Sequence, residues 1–176
     1  MLCPHGSTAF PIGPGVEAYG WFPLARGGPL ALEALERAVG ELDDFIEKAL
    51  ERYPIRRDRV LLLGFSQGGV MAYRTFLADP ERFAGLVALS SWLPEELAKR
   101  LPALGEPTNR PVLVMHGTND TMIDIDRARE SRKRLLERQV PLTYREYDMG
   151  HEIARDALRD LIDWIENKVF APVLVL

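Results

Sequence analysis

Between Leu30 and about Arg52, apolar residues recur every three or four positions: Leu32, Leu35, Val39, Leu42, Phe45, Ile46, Ala49 and Leu50, with acids and bases between them. That spacing predicts one long amphipathic helix, which Pro54 ends. The period then changes. Val60-Leu61-Leu62-Leu63 is a continuous apolar run, bounded by the charged stretch Arg56 to Arg59 and by Gly64. Such a run predicts a strand buried on both faces. A helical pattern follows up to about Ala78, stopped by Asp79-Pro80. Gly85 to Ser90 and Pro111 to Met115 are two more short apolar runs, each predicting a buried strand. A helix is predicted from about Ile125 to Gln139. Residues Leu142 to Tyr147 alternate and predict a strand nearer the sheet edge. Ala154 to about Lys168 closes the series as an amphipathic helix with Leu158, Leu161, Ile162 and Ile165 on one face. Strands alternating with helices predict an α/β fold, a mostly parallel sheet with helices on both faces.

The remaining segments carry less pattern. Residues 1–29 are dense in proline and glycine and read as loop, after one short strand at Met1 to Cys3. Trp21 and Phe22 are large apolar residues in that loop, placed either to plug it onto the core or to line a pocket. Residues 94–110 read as a polar connector with a helical turn or two around Glu95 to Leu101. The chain ends in a short apolar tail, Phe170 to Leu176.

At 176 residues the chain is expected to form one domain, 1–176, large enough to hold a core without a disulfide or a metal. A net charge of −4, with basic residues scattered among acids, argues against nucleic acid as a partner. One cysteine, Cys3, allows no internal disulfide. The three histidines stand far apart, with no metal-ligand spacing, so neither metal nor other cofactor is implied. No apolar run reaches membrane-spanning length, which argues against stable membrane insertion, and a cytoplasmic setting is expected.

Chemistry enters at the first buried strand. Gly64-Phe65-Ser66-Gln67-Gly68 is G-x-S-x-G between a strand and a helix, the context of a nucleophile elbow. The glycines let strand and helix approach a tight turn with no Cβ in the way. The turn lifts the Ser66 hydroxyl above the sheet edge, and the Gln67 N–H opens the helix where an oxyanion would form. Asp120 and His151 follow two later strands. Ser66 would attack, His151 would act as general base and then acid, and Asp120 would hold the imidazole tautomer. Asp148 shares a loop with His151, while Asp124 and Asp126 fall where a helix begins, Asp124 reading as its cap. His116 precedes the acid and reads as a support for the Asp120 turn. Trp92, at a strand end, is placed either to wall a pocket or simply to pack.

Four blocks, Gly64 to Gly69, Leu89-Ser90-Ser91-Trp92-Leu93-Pro94, His116-Gly117-Thr118-Asn119-Asp120 and Gly150-His151-Glu152-Ile153, closely resemble the phospholipase/carboxylesterase family of α/β-hydrolases. The resemblance covers about residues 18 to 168. It implies the α/β-hydrolase fold and hydrolysis of carboxylic esters or thioesters of acyl chains. It implies Ser66, Asp120 and His151 as a triad, Gln67 as an oxyanion donor, and Trp21-Phe22 as the family's Trp-Phe pair. It also implies a departure. Family members start with further strands and a His-Gly loop that supplies a second oxyanion donor, and this chain begins after that region. Cys3-Pro4-His5-Gly6 fits the strand end before the Trp-Phe loop instead. An N-terminally shortened fold would expose a sheet edge, to be covered by the 170–176 tail or by a second copy in a homo-oligomer; a natural protein longer than this chain is the other explanation. Losing one oxyanion donor typically lowers turnover about 10²–10³-fold. A binding protein that keeps the pocket without catalysis is therefore the alternative to a serine esterase. If His151 is the base, activity should rise with pH through about 6–7, and a flat rate profile from about pH 5 to 8 would count against it.

Overall fold

The computed structural model describes residues 1–23, 30–103 and 107–170. Four parallel strands form its sheet: β3 (Leu61–Phe65), β4 (Gly85–Leu89), β5 (Val112–Gly117) and β6 (Leu142–Tyr147), in that spatial order. Ahead of them lie β1 (Thr8–Gly13), β2 (Val16–Gly20) and the helix α1 (Leu32–Arg52). The sheet strands are joined through α2 (Gln67–Ala78), α3 (Glu95–Ala98) and α4 (Ile125–Glu137), and α5 (Arg155–Trp164) follows β6. The 21 residues of α1 and the 12 of α2 follow the predicted periodicities, and Pro54 closes α1 as expected.

Alternation along the central strands divides the apolar side chains between two layers, because successive residues of a strand face opposite ways. Leu86, Ala88, Val112 and Val114 pack against α1, α2 and α4. Val87, Leu89, Leu113 and Met115 pack against Ala157, Leu161 and Trp164 of α5. All five residues of β4 are buried, as a strand paired on both sides and covered on both faces requires. Among the described residues β6 pairs only with β5, which accounts for its half-polar alternation.

Two sequence expectations are corrected. The run at Leu61 to Phe65 is not buried on both faces: Leu63 is 49% exposed, and Leu61 and Leu62 are half-buried. Apolar content alone does not distinguish a central strand from an edge, and β3 is an edge whose outer side has no strand partner among the described residues. The N-terminal segment is not continuous loop. It holds no strand at Met1 to Cys3 and instead forms the antiparallel hairpin β1–β2, with Phe10 opposite Ala18 and Thr8 opposite Gly20. Gly15 turns it at a φ of +72°, a conformation open to glycine. The density of glycine and proline hid short β-prone runs on either side of that turn.

An apolar groove of about 540 Å³ follows the free side of β3, between that strand, α1 and the first residues of the chain. Phe170 lies at one end of it, its ring 4.8 Å beneath the guanidinium of the groove residue Arg59. The cover expected from the tail falls on residues 171–176, outside the described residues. If a second copy pairs along the open edge of β3, Leu63→Lys should reduce concentration-dependent association, read by light scattering, because a charge on a strand edge blocks edge pairing. Its stability should stay within about 0.5 kcal/mol of the parent, read from denaturant melts, because the side chain is already half in water.

Candidate active site

Ser66 stands between the last residue of β3 and the first of α2, at φ 54° and ψ −121°. A positive φ is uncommon for a residue with a Cβ, and such strain persists only where the surroundings over-determine it. Here they do. The Ser66 N–H donates to the Leu89 carbonyl at 2.9 Å, and the Ser66 carbonyl accepts from the Gly69 N–H at 3.0 Å. A Cβ on Gly64 would lie 2.2 Å from the Gly68 carbonyl oxygen, so only glycine lets β3 reach the helix start. On the helix side the close approach is at Gly69, where a Cβ would lie 2.3 Å from Ser91 Oγ. At Gly68 a Cβ would meet only the Trp21 indole, at 3.7 Å, so the steric demand that the motif places on Gly68 falls on its neighbour.

Gln67 is tied in twice. As the first residue of α2, its N–H has no acceptor within the helix. Its side-chain Oε1 accepts from the Trp21 N–H at 2.7 Å, and its Nε2 donates to the Phe22 carbonyl at 2.5 Å. The serine turn and the Trp-Phe segment are thus held together by one amide side chain, a link that separation along the chain does not reveal. Phe22 is fully buried in the main core and Trp92 is 6% exposed, with the Arg127 guanidinium 4.7 Å over its ring. Both occupy packing positions. Trp21 is half-buried and lines the apolar groove beside Phe65 and Gly68.

The other two candidate residues meet directly. The register that pairs Gly117 with Tyr147 continues into the loops, where the Thr118 N–H donates to Tyr147 and the Asn119 N–H to Met149. This zipper brings Asp120 Oδ2 to 2.8 Å from His151 Nδ1. A carboxylate oxygen only accepts, so Nδ1 carries the proton and Nε2 is left as the basic nitrogen. Asp120 Oδ1 accepts from the N–H groups of Met122 and Ile123, at 2.9 and 2.8 Å. The His151 ring leans on Phe65, the residue before the serine, with centroids 4.8 Å apart. A hydrogen bond from Ser66 Oγ to His151 is not among the bonds of the described residues. Such contacts are often long before substrate binds.

The rival groups are engaged elsewhere. Asp148 accepts from the Asn119 side chain at 2.6 Å, and Asp124 caps α4 by accepting from the Asp126 N–H at 2.8 Å. Asp126 pairs with Arg129. His116 is fully buried, with Nε2 2.8 Å from the Ile123 carbonyl oxygen and 3.4 Å from Asp120 Oδ2. Ser90, also at positive φ and fully buried, ends β4 beside the elbow; nothing in its sequence neighbourhood signals that strain.

Burial works to raise the Asp120 pKa. The Ile123 N–H, the His151 contact and the Met122 N–H outweigh it and hold the carboxyl below its ordinary range. An acid whose folded-state pKa is depressed stabilises the fold above its unfolded value, near 3.9, and that contribution is lost as pH falls through the folded value. Asp120→Asn should therefore lose less thermal stability than the parent on acidification from about pH 5 to pH 2. Melting curves followed by circular dichroism across that range check it; parallel pH dependences would contradict it.

The family model of phospholipases and carboxylesterases matches residues 1–169. A probable carboxylesterase SOBER1-like protein of Arabidopsis thaliana is 25% identical over 155 residues, covering 85% of this chain and 59% of the relative. Acyl-protein thioesterase 1 of Mycosarcoma maydis is 26% identical, covering 78% of this chain and 59% of the relative. The chain thus spans somewhat under two thirds of the length of these relatives. The crystal structure of a SOBER1 variant from Arabidopsis thaliana superposes with a TM-score of 0.71 at 26% identity, over 86% of this chain and 76% of that one. An esterase named PE8 superposes with a TM-score of 0.73, also at 26% identity, over 85% and 70%. With a family match across almost its whole length and an elbow, acid and histidine after the parallel strands β3, β5 and β6, the chain belongs to the phospholipase/carboxylesterase family and has the α/β-hydrolase fold.

Proposed function

We propose that this protein is a serine hydrolase that cleaves carboxylic esters or thioesters of acyl chains through an acyl-enzyme on Ser66. The observation that carries the reading is the 2.8 Å Asp120–His151 hydrogen bond, which leaves the basic His151 nitrogen free beside a strained serine turn. Ser66 Oγ attacks the acyl carbonyl while His151 Nε2 takes its proton. Asp120 holds the ring and offsets the imidazolium charge. The N–H of Gln67 receives the developing oxyanion. His151 then gives the proton to the departing alcohol or thiol, and water repeats the sequence on the acyl-enzyme. The scheme calls on no metal or other cofactor.

The names of the relatives, carboxylesterase and acyl-protein thioesterase, support the same chemistry. None of the helices in the described residues is long and apolar enough to cross a membrane. The open apolar edge at β3 supports self-association as the way that edge is covered. One observation favours a second reading, a non-catalytic acyl-binding protein: Ser66 and His151 are not hydrogen-bonded to each other.

A fluorophosphonate probe separates the two. The parent protein should gain one covalent adduct by intact mass, Ser66→Ala none, and Ser66→Ala should retain less than about 10⁻³ of the ester turnover. A folded parent with no adduct would favour the binding protein.

A further inference from the structure

His116 closes β5 and is completely buried, and the scheme above assigns it no part. Its Nε2 lies 2.8 Å from the Ile123 carbonyl oxygen, an atom that only accepts, so Nε2 carries the ring proton. Nδ1 is then a bare acceptor, and it is buried with no partner among the described residues. A buried acceptor without a donor weakens the fold. A ring wanted only for packing would be better supplied by an apolar side chain of similar size, which brings no orphaned nitrogen. What the imidazole supplies is the donor at Nε2.

That donor acts on the acid from two sides. Ile123 is held at both its backbone groups: its N–H donates to Asp120 Oδ1 at 2.8 Å, and its carbonyl accepts from His116. The same Nε2 lies 3.4 Å from Asp120 Oδ2, the oxygen that bonds His151. That is long for a hydrogen bond, but the side chains of both His116 and Asp120 are inaccessible to solvent, where a dipole acts with little screening.

We infer that His116 is a positioning residue for the Ser66 chemistry: its Nε2–H anchors the Ile123 carbonyl and faces Asp120 Oδ2, setting the plane of the carboxylate that orients His151. The inference rests on the hydrolase reading for its catalytic consequence, and it goes beyond the role of turn support that the sequence suggested, because the ring reaches the acid itself.

The test compares His116→Phe, which keeps a ring and removes the donor, with His116→Gln, which keeps an N–H at a similar reach. The first readout needs no turnover: the low-field proton NMR signal of His151 Nδ1–H, identified by its loss in His151→Gln. It should move upfield or vanish in His116→Phe and stay near the parent position in His116→Gln. The second readout is ester hydrolysis. His116→Phe should lose about 10²-fold in kcat with KM within about twofold, and His116→Gln should recover to within about threefold of the parent. If the phenylalanine variant does not fold, His116→Met, whose side chain adapts to irregular space, carries the same comparison. A donor-free variant that matches the parent in signal and kcat, or a glutamine variant no better than it, would overturn the inference. A parent that shows the NMR contrast but takes up no fluorophosphonate would count against the hydrolase reading alone.

Discussion

The close passage of Gly64 past the Gly68 carbonyl is the constraint on which the site depends. Strand β3 must turn straight into α2, and the turn leaves Ser66 at a φ of 54°. Nothing local relaxes that strain. It is held by the bond from the Ser66 N–H to Leu89 on the neighbouring strand, by the Gly69 N–H on the Ser66 carbonyl, and by seven buried side chains of α2 packed on the sheet and on α1. The core therefore does more than stabilise the fold. It keeps one serine in a conformation the residue would not choose alone.

A second constraint aligns the remaining groups. Parallel pairing of β5 with β6 extends past the strands into two loop hydrogen bonds, and this extension seats Asp120 and His151 together. Asp120 is nearly enclosed yet its carboxyl stays below its ordinary range, because two backbone N–H groups and the His151 ring outweigh the burial that works to raise its pKa. The acid is thus set by backbone N–H groups as much as by the His151 ring. Both arrangements lie at the carboxyl ends of parallel strands, where such sheets place their sites.

Sequence pattern and structure agree best where several signals coincide. At Gly64 to Gly69 a strand pattern, a glycine motif and a helix pattern agree, and the element boundaries there fell within a residue or two. Asp124 caps α4, as its position ahead of a helix pattern predicts. A signal that stands alone decides less. The apolar run at Leu61 to Leu63 looks the same whether a strand has two neighbours or one. Proline and glycine in residues 1–29 obscured a hairpin. The packing of Phe22 and Trp92 depends on what lies across from them, which no local pattern encodes.

The sequence by itself determined the alternation of strands and helices, the serine elbow, and the order of serine, acid and histidine along the chain, because each is a matter of period, composition or motif over a few adjacent residues. Only the tertiary structure decided which strand is the edge, that Gln67 clamps the Trp21–Phe22 backbone, that Gly69 rather than Gly68 bears the steric demand, and that His116 touches the acid. Those are contacts between residues distant in sequence or close approaches of fractions of an ångström. They exist only once register and packing have brought the elements together.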